Sequence, residues 1–293
     1  MRHVIHILIT ATLFSSLSLS CNLLAGSTGL VSLAHAAFFG IGAYSAAILA
    51  TTYGCGFFTS MFVAVLVAAA LSLLISVPSG RLVGDLVAVA SLGFQLMMTS
   101  VASNWTGLTG GPSGISAIPP PMILGISVQG DSGIFVLAIL VLIVALTVSR
   151  LLIVSPYGRV LRATREEPSW AEALGKDTAR ARITVYAISA SLAALPGCVF
   201  AHFIGFVDPT SFSIMESLLI LSMVALGGAG TLAGPIIGAI ILVALPEGLR
   251  WVGMPAVYAA NVRQMIYGAA LVLTMLFFQR GIMGKYSFGT TKD

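Results

Sequence analysis

Charged residues are scarce in this chain. Only 8% of its 293 residues are Asp, Glu, Lys or Arg, whereas an ordinary soluble domain carries about 25%. Fourteen basic and ten acidic side chains cannot cover the surface of a soluble fold of this size. The shortage excludes a soluble enzyme, a disordered chain and a disulfide-stapled secreted domain. The apolar residues make up 58% and occur in long continuous runs, which indicates a polytopic helical membrane protein.

Residues that carry chemistry are equally scarce. Cys21, Cys55 and Cys198 lie far apart in or beside apolar runs, so we expect them to pack rather than form a disulfide or metal site. The run from Gly281 to Lys285 lacks the first Gly and the final Ser or Thr of a nucleotide-binding loop. We therefore expect no catalysis, no metal and no cofactor on this chain. The small net charge of +4 gives no sign of nucleic acid binding.

Several apolar runs approach the roughly 20 residues that a membrane-spanning helix needs. The first run resembles a lipoprotein signal only loosely, because Ser18 stands three residues before Cys21, where such a signal has Leu. We therefore interpret it as the first membrane helix rather than as a cleaved signal. The clear runs are 4–24, 57–77, 84–102, 133–154, 183–205 and 262–279.

Two further regions are apolar but irregular. Residues 29–51 are rich in Gly and Ala, which allow another helix to approach closely. Residues 213–247 would form a helix about 52 Å long, more than the roughly 30 Å core of a bilayer, and the Gly-rich run 227–235 interrupts it. We predict two short helices that meet at this run in the interior of a bundle. The small residues that share one helical face are Gly42, Ala46 and Ala50 in the first region, and Gly230, Gly234 and Gly238 in the second.

Charge is concentrated in one segment, residues 150–182. Short loops rich in Lys and Arg stay on the cytoplasmic side of a membrane, so we predict that the 155–182 loop is cytoplasmic. The loops 103–132 and 206–212 carry no base and are predicted to lie outside. The side of the N-terminus stays open, because it depends on whether residues 29–51 cross the membrane fully.

The 155–182 loop contains a pattern typical of a short surface helix. Residues Trp170 to Leu174 form an amphipathic turn, and Gly175 is a helix C-cap signal. Such a helix fits a groove on a partner protein. The alternative is a solvated loop whose bases only follow the charge rule, and composition alone leaves both open. Three bases at every third position share one face, namely Arg159, Arg162 and Arg165.

Five stretches spread over nearly the whole chain carry a family resemblance. They are GLVSLAHAAFFGIGAY at 29–44, GRLVGD and SLGF within 80–94, NWTGLTGGPSG at 104–114, the segment 155–175, and VALGGAGTLAGP at 224–235. In this order they resemble the permease subunits of bacterial ABC importers of the branched-chain amino acid (LivM) type.

The resemblance implies an all-α, polytopic transmembrane helical bundle with about eight or nine membrane segments, some of them short or broken. It implies one transmembrane permease domain over residues 1–293, with the coupling loop 155–182 inside it, in the bacterial inner membrane. ATP would be bound by two partner ATP-binding subunits. The other implied partners are a second permease subunit, usually an unlike chain, a periplasmic substrate-binding protein and membrane lipid.

The cargo that the resemblance favours is a branched-chain or other small amino acid. A urea, amide or sugar permease of the same superfamily is an alternative. A self-sufficient secondary carrier would need buried ion-coupling groups, and few ionisable residues are expected near membrane depth: His35, Asp85, Glu216 and Glu247. A structural or assembly protein is a third alternative, against which the coupling-type loop argues.

Candidate site residues come partly from the resemblance and partly from residue type and position. The stretch Ala171–Gly175 resembles the coupling motif that docks on the ATPase. In the motif a Gly follows the Glu-Ala-Ala run at a longer spacing, so the register of Gly175 departs from it. The residues assigned to ATPase contact are Arg159, Arg162, Arg165, Glu166, Glu172, Ala173 and Gly175. The candidates for the translocation pathway are His35, Ser91, Gln95, Asn104, Thr106, Thr109, Gly227, Gly230 and Gly234, for which helix packing or a tight turn is the alternative role.

Overall fold

The computed structural model describes residues 2–80, 84–123, 126–128, 130–251, 265, 267–269, 272–273 and 281–284. Within these residues the chain is almost entirely helical. The helix predicted at 262–279 and the tail after it lie largely outside the described residues.

Most of the helices follow one another with short connections, and the longest connection lies between α5 and α6. They are α1 (Arg2–Thr28), α2 (His35–Thr51), α3 (Phe57–Ser79), α4 (Gly84–Asn104), α5 (Thr106–Thr109), α6 (Asp131–Val154), α7 (Pro156–Glu166), α8 (Pro168–Ala173), α9 (Thr178–Ile204), α10 (Ile214–Gly227) and α11 (Ala233–Trp251). Two 3₁₀ turns occur at Gly111–Ser113 and Pro209–Phe212. Four two-residue strands are β1 (Ile115–Ser116), β2 (Met122–Ile123), β3 (Ile126–Ser127) and β4 (Phe206–Val207).

Six helices in the described part of the chain are long and apolar enough to cross a membrane. They are α1, α3, α4, α6, α9 and α10 with the 3₁₀ turn before it. Helices α2 and α11 are apolar but have shorter apolar lengths. The prediction of an all-α polytopic bundle is confirmed, although the short strands within 103–132 were not predicted.

Helix α2 lies at the centre of the bundle. Nearly all its residues from His35 to Ala47 are buried, and its main neighbours are α9 and α3. The crossing with α9 is close: a Cβ on Gly42 would lie 2.7 Å from Cα of Ala194. A Cβ on Gly197 would lie 2.9 Å from the backbone nitrogen of Ala43. The small-residue face predicted for residues 29–51 therefore packs against another helix at Gly42.

The two ends of the bundle differ. Helices α7 and α8 form the end that we call inner, following the predicted orientation. At the opposite, outer end, β1 pairs antiparallel with β4, so the two loops predicted to lie outside share one end. The ring of His6 in α1 lies tilted against that of Phe203 near the end of α9, with ring centroids 4.7 Å apart. The N-terminal end of α1 therefore lies at the outer end, and α1 finishes at the inner end.

Helices α10 and α11 form a hairpin around a glycine turn, residues 228–232. Helix α10 ends at Gly227 and α11 begins at Ala233, which confirms the prediction of two short helices. The helices touch through glycines, because a Cβ on Gly234 would lie 2.6 Å from the carbonyl oxygens of Gly227 and Gly228. Residues 282 and 283 donate backbone N–H groups to the carbonyls of Leu226 and Gly227 and so cap the end of α10.

Candidate functional site

Helix α2 begins inside the bundle rather than at its surface. The residues before it, Leu30, Ser32 and Ala34, are buried but not helical. The first N–H groups of a helix lack acceptors within the helix, and irregular backbone at membrane depth needs partners from protein. Here side chains of α4 and α10 supply acceptors, so the predicted pathway region is a network of polar contacts between helices.

Gln95 of α4 is the centre of this network. It is fully buried, and its Oε1 accepts hydrogen bonds from the backbone N–H of Ala37 at 2.8 Å and from the hydroxyl of Ser217 at 3.2 Å. Its Nε2 donates to the carbonyl of Phe212 at 2.7 Å. One amide thus joins α4 to the start of α2 and to the entrance of α10.

Two serines complete the capping of α2. The Ser217 hydroxyl accepts from the N–H of Ala36 at 3.0 Å. The Ser91 hydroxyl accepts from the N–H of Leu33 at 2.9 Å and donates to the carbonyl of Ala88 within its own helix. The structure therefore brings the predicted residues Ser91 and Gln95 together around one helix terminus.

His35 makes a buried bond on the opposite side of α2. Its Nε2 lies 3.0 Å from the hydroxyl of Ser189, and that hydroxyl donates its single hydrogen to the carbonyl of Ser20 at 2.6 Å. Nε2 of His35 therefore carries a hydrogen and donates it to Ser189, while Nδ1 makes no hydrogen bond within the described residues. The imidazole links α2 to α9 and, through Ser189, to α1.

An apolar cavity of about 380 Å³ lies beside the Gln95 network, between α2, α3 and α4. Its wall is formed mainly by aliphatic and aromatic side chains, among them Tyr44, Met97, Trp105 and Phe212. Among the predicted pathway residues, Thr109 lines it. The cavity can hold a small apolar group in the outer half of the bundle.

The predicted outer residues form a tight turn after α4. Thr109 is buried, and its hydroxyl lies 2.8 Å from the carbonyl of Ala102 and 2.7 Å from that of Trp105. Thr106 opens α5 and is exposed. Asn104 is exposed at the end of α4 and donates to the carbonyl of Ser100 at 2.8 Å. The contacts are those of a turn, which leaves Asn104 and Thr106 facing outward.

The glycine turn is held by a residue that sequence reasoning missed. Asn22 of α1 donates from Nδ2 to the carbonyl of Thr231 at 2.8 Å, and its Oδ1 accepts from the N–H of Gly230 at 2.9 Å. A lone amide within an apolar helix was the available signal. The predicted residues Gly227, Gly230 and Gly234 all belong to this assembly.

At the inner end, α7 begins with a complete cap. The Ser155 hydroxyl accepts from the N–H of Gly158 at 3.2 Å, and Pro156 occupies the first helical position, which favours a helix start. Arg159 and Arg162 are exposed. Arg165 differs from the other two bases, because its guanidinium donates to carbonyls at the end of α1.

Helix α8 ends in a Schellman motif. The N–H of Gly175 bonds to the carbonyl of Glu172 at 2.8 Å, and the N–H of Lys176 bonds to that of Ala171 at 3.0 Å. Gly175 has φ +74°, a conformation that glycine adopts without strain. The predicted C-cap at Gly175 is therefore confirmed.

The outer surface of α8 exposes two large apolar side chains. Trp170 is 76% exposed and Leu174 is 79% exposed, and the spacing of four residues places them on one face. Glu172 and Ala173 are exposed beside them, and a Glu172 carboxylate oxygen accepts from the hydroxyl of Thr178. Glu166 is exposed at the end of α7. A groove of about 440 Å³ between α7 and α8 has Arg159 and Lys176 in its wall.

Comparison with known proteins identifies the family of this chain. Residues 3–275 match the family model described as the permease component of the branched-chain amino acid transport system. The chain belongs to this family. It is therefore a multi-pass membrane permease of the ABC importer type and not an enzyme, and permeases of this type work with ATPase and binding-protein partners.

Individual relatives agree with the family. The permease is 33% identical to the high-affinity branched-chain amino acid transport system permease protein LivM of Escherichia coli, over 96% of this chain and 70% of the relative. LivM of Salmonella typhimurium is also 33% identical, over 91% and 67%. The autoinducer 2 import system permease protein LsrC of Salmonella paratyphi B is 32% identical, over 65% and 57%. No solved structure matches the permease.

Proposed function

We propose that this permease forms half of the translocation pathway of an ATP-driven importer in the bacterial inner membrane, and that α8 docks on a separate ATPase subunit. The observation that carries the docking is the exposure of Trp170 and Leu174 in the charged 155–182 loop. Large apolar side chains outside the membrane spans mark interaction sites, and aromatic anchors dominate binding energy at interfaces.

The surroundings of α8 support this docking. The Schellman motif fixes the end of the helix, so the anchors are held before a partner arrives and less ordering entropy is lost on binding. Glu172 lies between the two anchors in sequence and is exposed, so it can pair with a base on the ATPase. Arg159 lines the same groove as Leu174, and Arg162, Glu166 and Ala173 are exposed on the same two helices. ATP is bound and hydrolysed on the partner subunits, and this chain carries no cofactor.

A second permease chain is supported by the composition of α4. Its described span is only 22% buried, whereas the similarly polar spans of α1 and α9 are 50% and 67% buried. The other sparsely buried spans, α3 and α6, are clearly more apolar, as lipid contact demands. The outward stripe of α4 contains Gly93, Ser100 and Asn104, all exposed. We propose that an unlike second permease covers this stripe and that the pathway runs between the two chains.

The cargo that we propose is a branched-chain amino acid or another small apolar amino acid. The apolar cavity of about 380 Å³ supports it, because a leucine side chain fits such a wall and a sugar or urea would find few hydrogen-bonding groups there. The name of LivM supports the same class. A periplasmic binding protein would select the cargo and deliver it at the outer end.

We propose eight or nine membrane segments in a single permease domain. The six long spans, with α2 and α11 as shorter ones, account for eight. The predicted helix at 262–279 would be the ninth. We propose that two of these segments cross the membrane incompletely, one because of the glycine turn and one because α2 starts inside the bundle. Incomplete crossings fit segments that are surrounded by protein.

The experiment that tests the function is an affinity purification of the chain in mild detergent, followed by mass spectrometry and reconstitution into vesicles. We expect an ATPase and a second permease in the eluate, and uptake of radiolabelled leucine only with ATP and the binding protein. A chain that elutes alone and transports leucine without ATP would instead be a self-sufficient carrier. A thermal shift screen of the binding protein then identifies the cargo.

A further inference from the structure

The C-terminal end of α1 contacts the 155–182 loop through Arg165. The guanidinium donates to the carbonyl of Ala25 at 3.3 Å and also to that of Gly26. The last carbonyls of a helix lack partners within the helix and form the negative end of its dipole. A guanidinium is therefore well suited to hold this terminus, and it ties the position of α7 to that of α1.

One turn earlier, the same helix contacts the glycine turn through Asn22. Both polar atoms of the Asn22 amide bond to the backbone of the turn, one to the carbonyl of Thr231 and one to the N–H of Gly230. A Cβ on Gly26 would lie 2.8 Å from the backbone nitrogen of Gly230, so the helix backbone itself touches the turn. Residues four apart share one face of a helix, and here that face is Asn22 and Gly26.

The glycine turn connects to the pathway region through α10. Gly228 has φ +104° and Gly230 has φ +85°, conformations of the turn that glycine adopts without strain. At the other end of α10, the Ser217 hydroxyl and the Phe212 carbonyl bond to Gln95 of α4. A displacement of the turn along the axis of α10 would therefore reach the network around the start of α2.

We infer that the last two turns of α1 form a rigid connector that carries movement of α7 to the α10–α11 hairpin, with Arg165 and Asn22 as the positioning residues at its two contacts. This inference rests on the proposed function, because ATPase subunits supply the movement of α7. The new element is the route, in which movement of α7 reaches the α10–α11 hairpin through α1.

The test compares Asn22→Ala, Arg165→Gln and the double variant in the complete complex, reconstituted in vesicles with the binding protein. ATP hydrolysis and uptake of radiolabelled leucine are measured together. We expect each single variant to assemble, to keep its ATP hydrolysis and to lose about tenfold in uptake, the effect of one lost hydrogen-bonded contact. The double variant should be no worse than either single variant, because both contacts belong to one route.

Two results would overturn the connector. One is a double variant whose uptake falls about a hundredfold, the product of independent effects. The other is a parallel fall of ATP hydrolysis and uptake, which indicates general structural damage. If Asn22→Ala fails to fold, Arg165→Gln alone still tests the inference. Arg165 lies near the surface, at the end of α7, so its replacement should not prevent folding.

The controls separate this inference from the proposed function. Ser16→Ala removes a buried hydroxyl of α1 that donates within the helix, to the carbonyl of Thr12 at 3.0 Å, and should retain uptake. Arg165→Lys keeps the charge and a donor and should restore part of the uptake. The wild-type complex decides the proposed function first, because an unbound ATPase or ATP-independent uptake there refutes it before any variant is compared.

Discussion

At the scale of single residues, Glu172 tests the role of charge on α8. We predict that Glu172→Arg abolishes ATP-driven uptake, because it reverses the charge that we propose for the ATPase contact. Membrane insertion should stay normal, because the side chain is exposed and its loss disturbs no packing. Uptake and the amount of chain in the membrane fraction are the measurements. Glu172→Gln keeps the bond to Thr178 and removes only the charge. Normal uptake in the Arg variant would remove Glu172 from the coupling surface.

Trp170 and Leu174 test the apolar part of the same surface. Replacing either by Ala should weaken ATPase binding by about 2 kcal/mol, or about 30-fold, as for the anchors of other interfaces. Thermal unfolding of the isolated chain should not change, since both side chains are more than three quarters exposed. Titration of the detergent-solubilised permease with the ATPase gives the affinity. Unchanged affinity in both variants would place the docking surface elsewhere.

Residue roles were predictable where the partners are local in sequence. Gly175 follows its own helix directly, so its cap could be predicted from the pattern. Arg165 was predicted to share a face with Arg159 and Arg162, but its partners lie 139 and 140 residues away. Asn22 binds residues 208 and 209 positions away. No periodicity within one segment indicates such contacts, which require the packed bundle.

At the scale of elements, the α10–α11 hairpin depends on close glycine contact. We predict that Gly234→Leu lowers the stability of the chain by more than about 3 kcal/mol, because the added atoms have no space and overpacking forces the backbone apart. Thermal unfolding in detergent measures it. Gly93→Leu is the matched control, since a Cβ at Gly93 meets nothing within 4 Å. A stable Gly234→Leu variant would mean that the hairpin can separate freely.

The same control carries its own prediction for α4. Gly93→Leu should leave the isolated chain stable but reduce pairing with the second permease, because its side chain would project from the outward stripe. Co-purification of the two permeases measures the pairing. Leu74→Ala, on the exposed side of α3, should leave pairing unchanged. Equal pairing in wild type and Gly93→Leu would show that lipid, and not protein, covers α4.

The helix pattern predicted which elements exist but not where α2 begins. Length and the Gly-rich centre were sufficient for the α10–α11 hairpin, since no single helix of that length fits a bilayer. Residues 29–51 were predicted as one segment, and the helix starts only at His35. The start is determined by Gln95 and Ser217, which come from distant helices, so local propensity could not locate it.

At the scale of the whole molecule, the two ends of α1 provide a test of topology. We predict that a single cysteine at His3 and one at Ser113 react with a membrane-impermeant thiol reagent from the same side, and one at Glu167 from the other. The exposed His3 lies at the outer end with the β1–β4 pair, whereas Glu167 joins α7 to α8. Labelling in intact cells and in inverted vesicles distinguishes the sides, in a background without native cysteines. Labelling of His3 and Glu167 from one side would contradict the arrangement.

Composition and charge were sufficient to predict the class of protein and the grouping of its loops. The resemblance then supplied the family, which the comparisons confirm. The network around Gln95 and the connector through α1 could not be predicted, because each unites residues from three or more segments. The sequence was therefore sufficient to name candidate residues, but their contacts depend on how the helices pack in the bundle.

The buried start of α2 has an electrical consequence. A helix that begins within the bundle holds the positive end of its dipole, about half an elementary charge, at depth in the low-dielectric interior. Its caps from Gln95, Ser91 and Ser217 are neutral side chains, so their oxygens offset only part of that charge. Cations such as Na⁺ and H₃O⁺ meet an unfavourable potential there, whereas an amino acid zwitterion carries no net charge. For the importer that we propose, this potential at the start of the central helix would oppose the leakage of protons along a pathway that passes an uncharged or zwitterionic cargo.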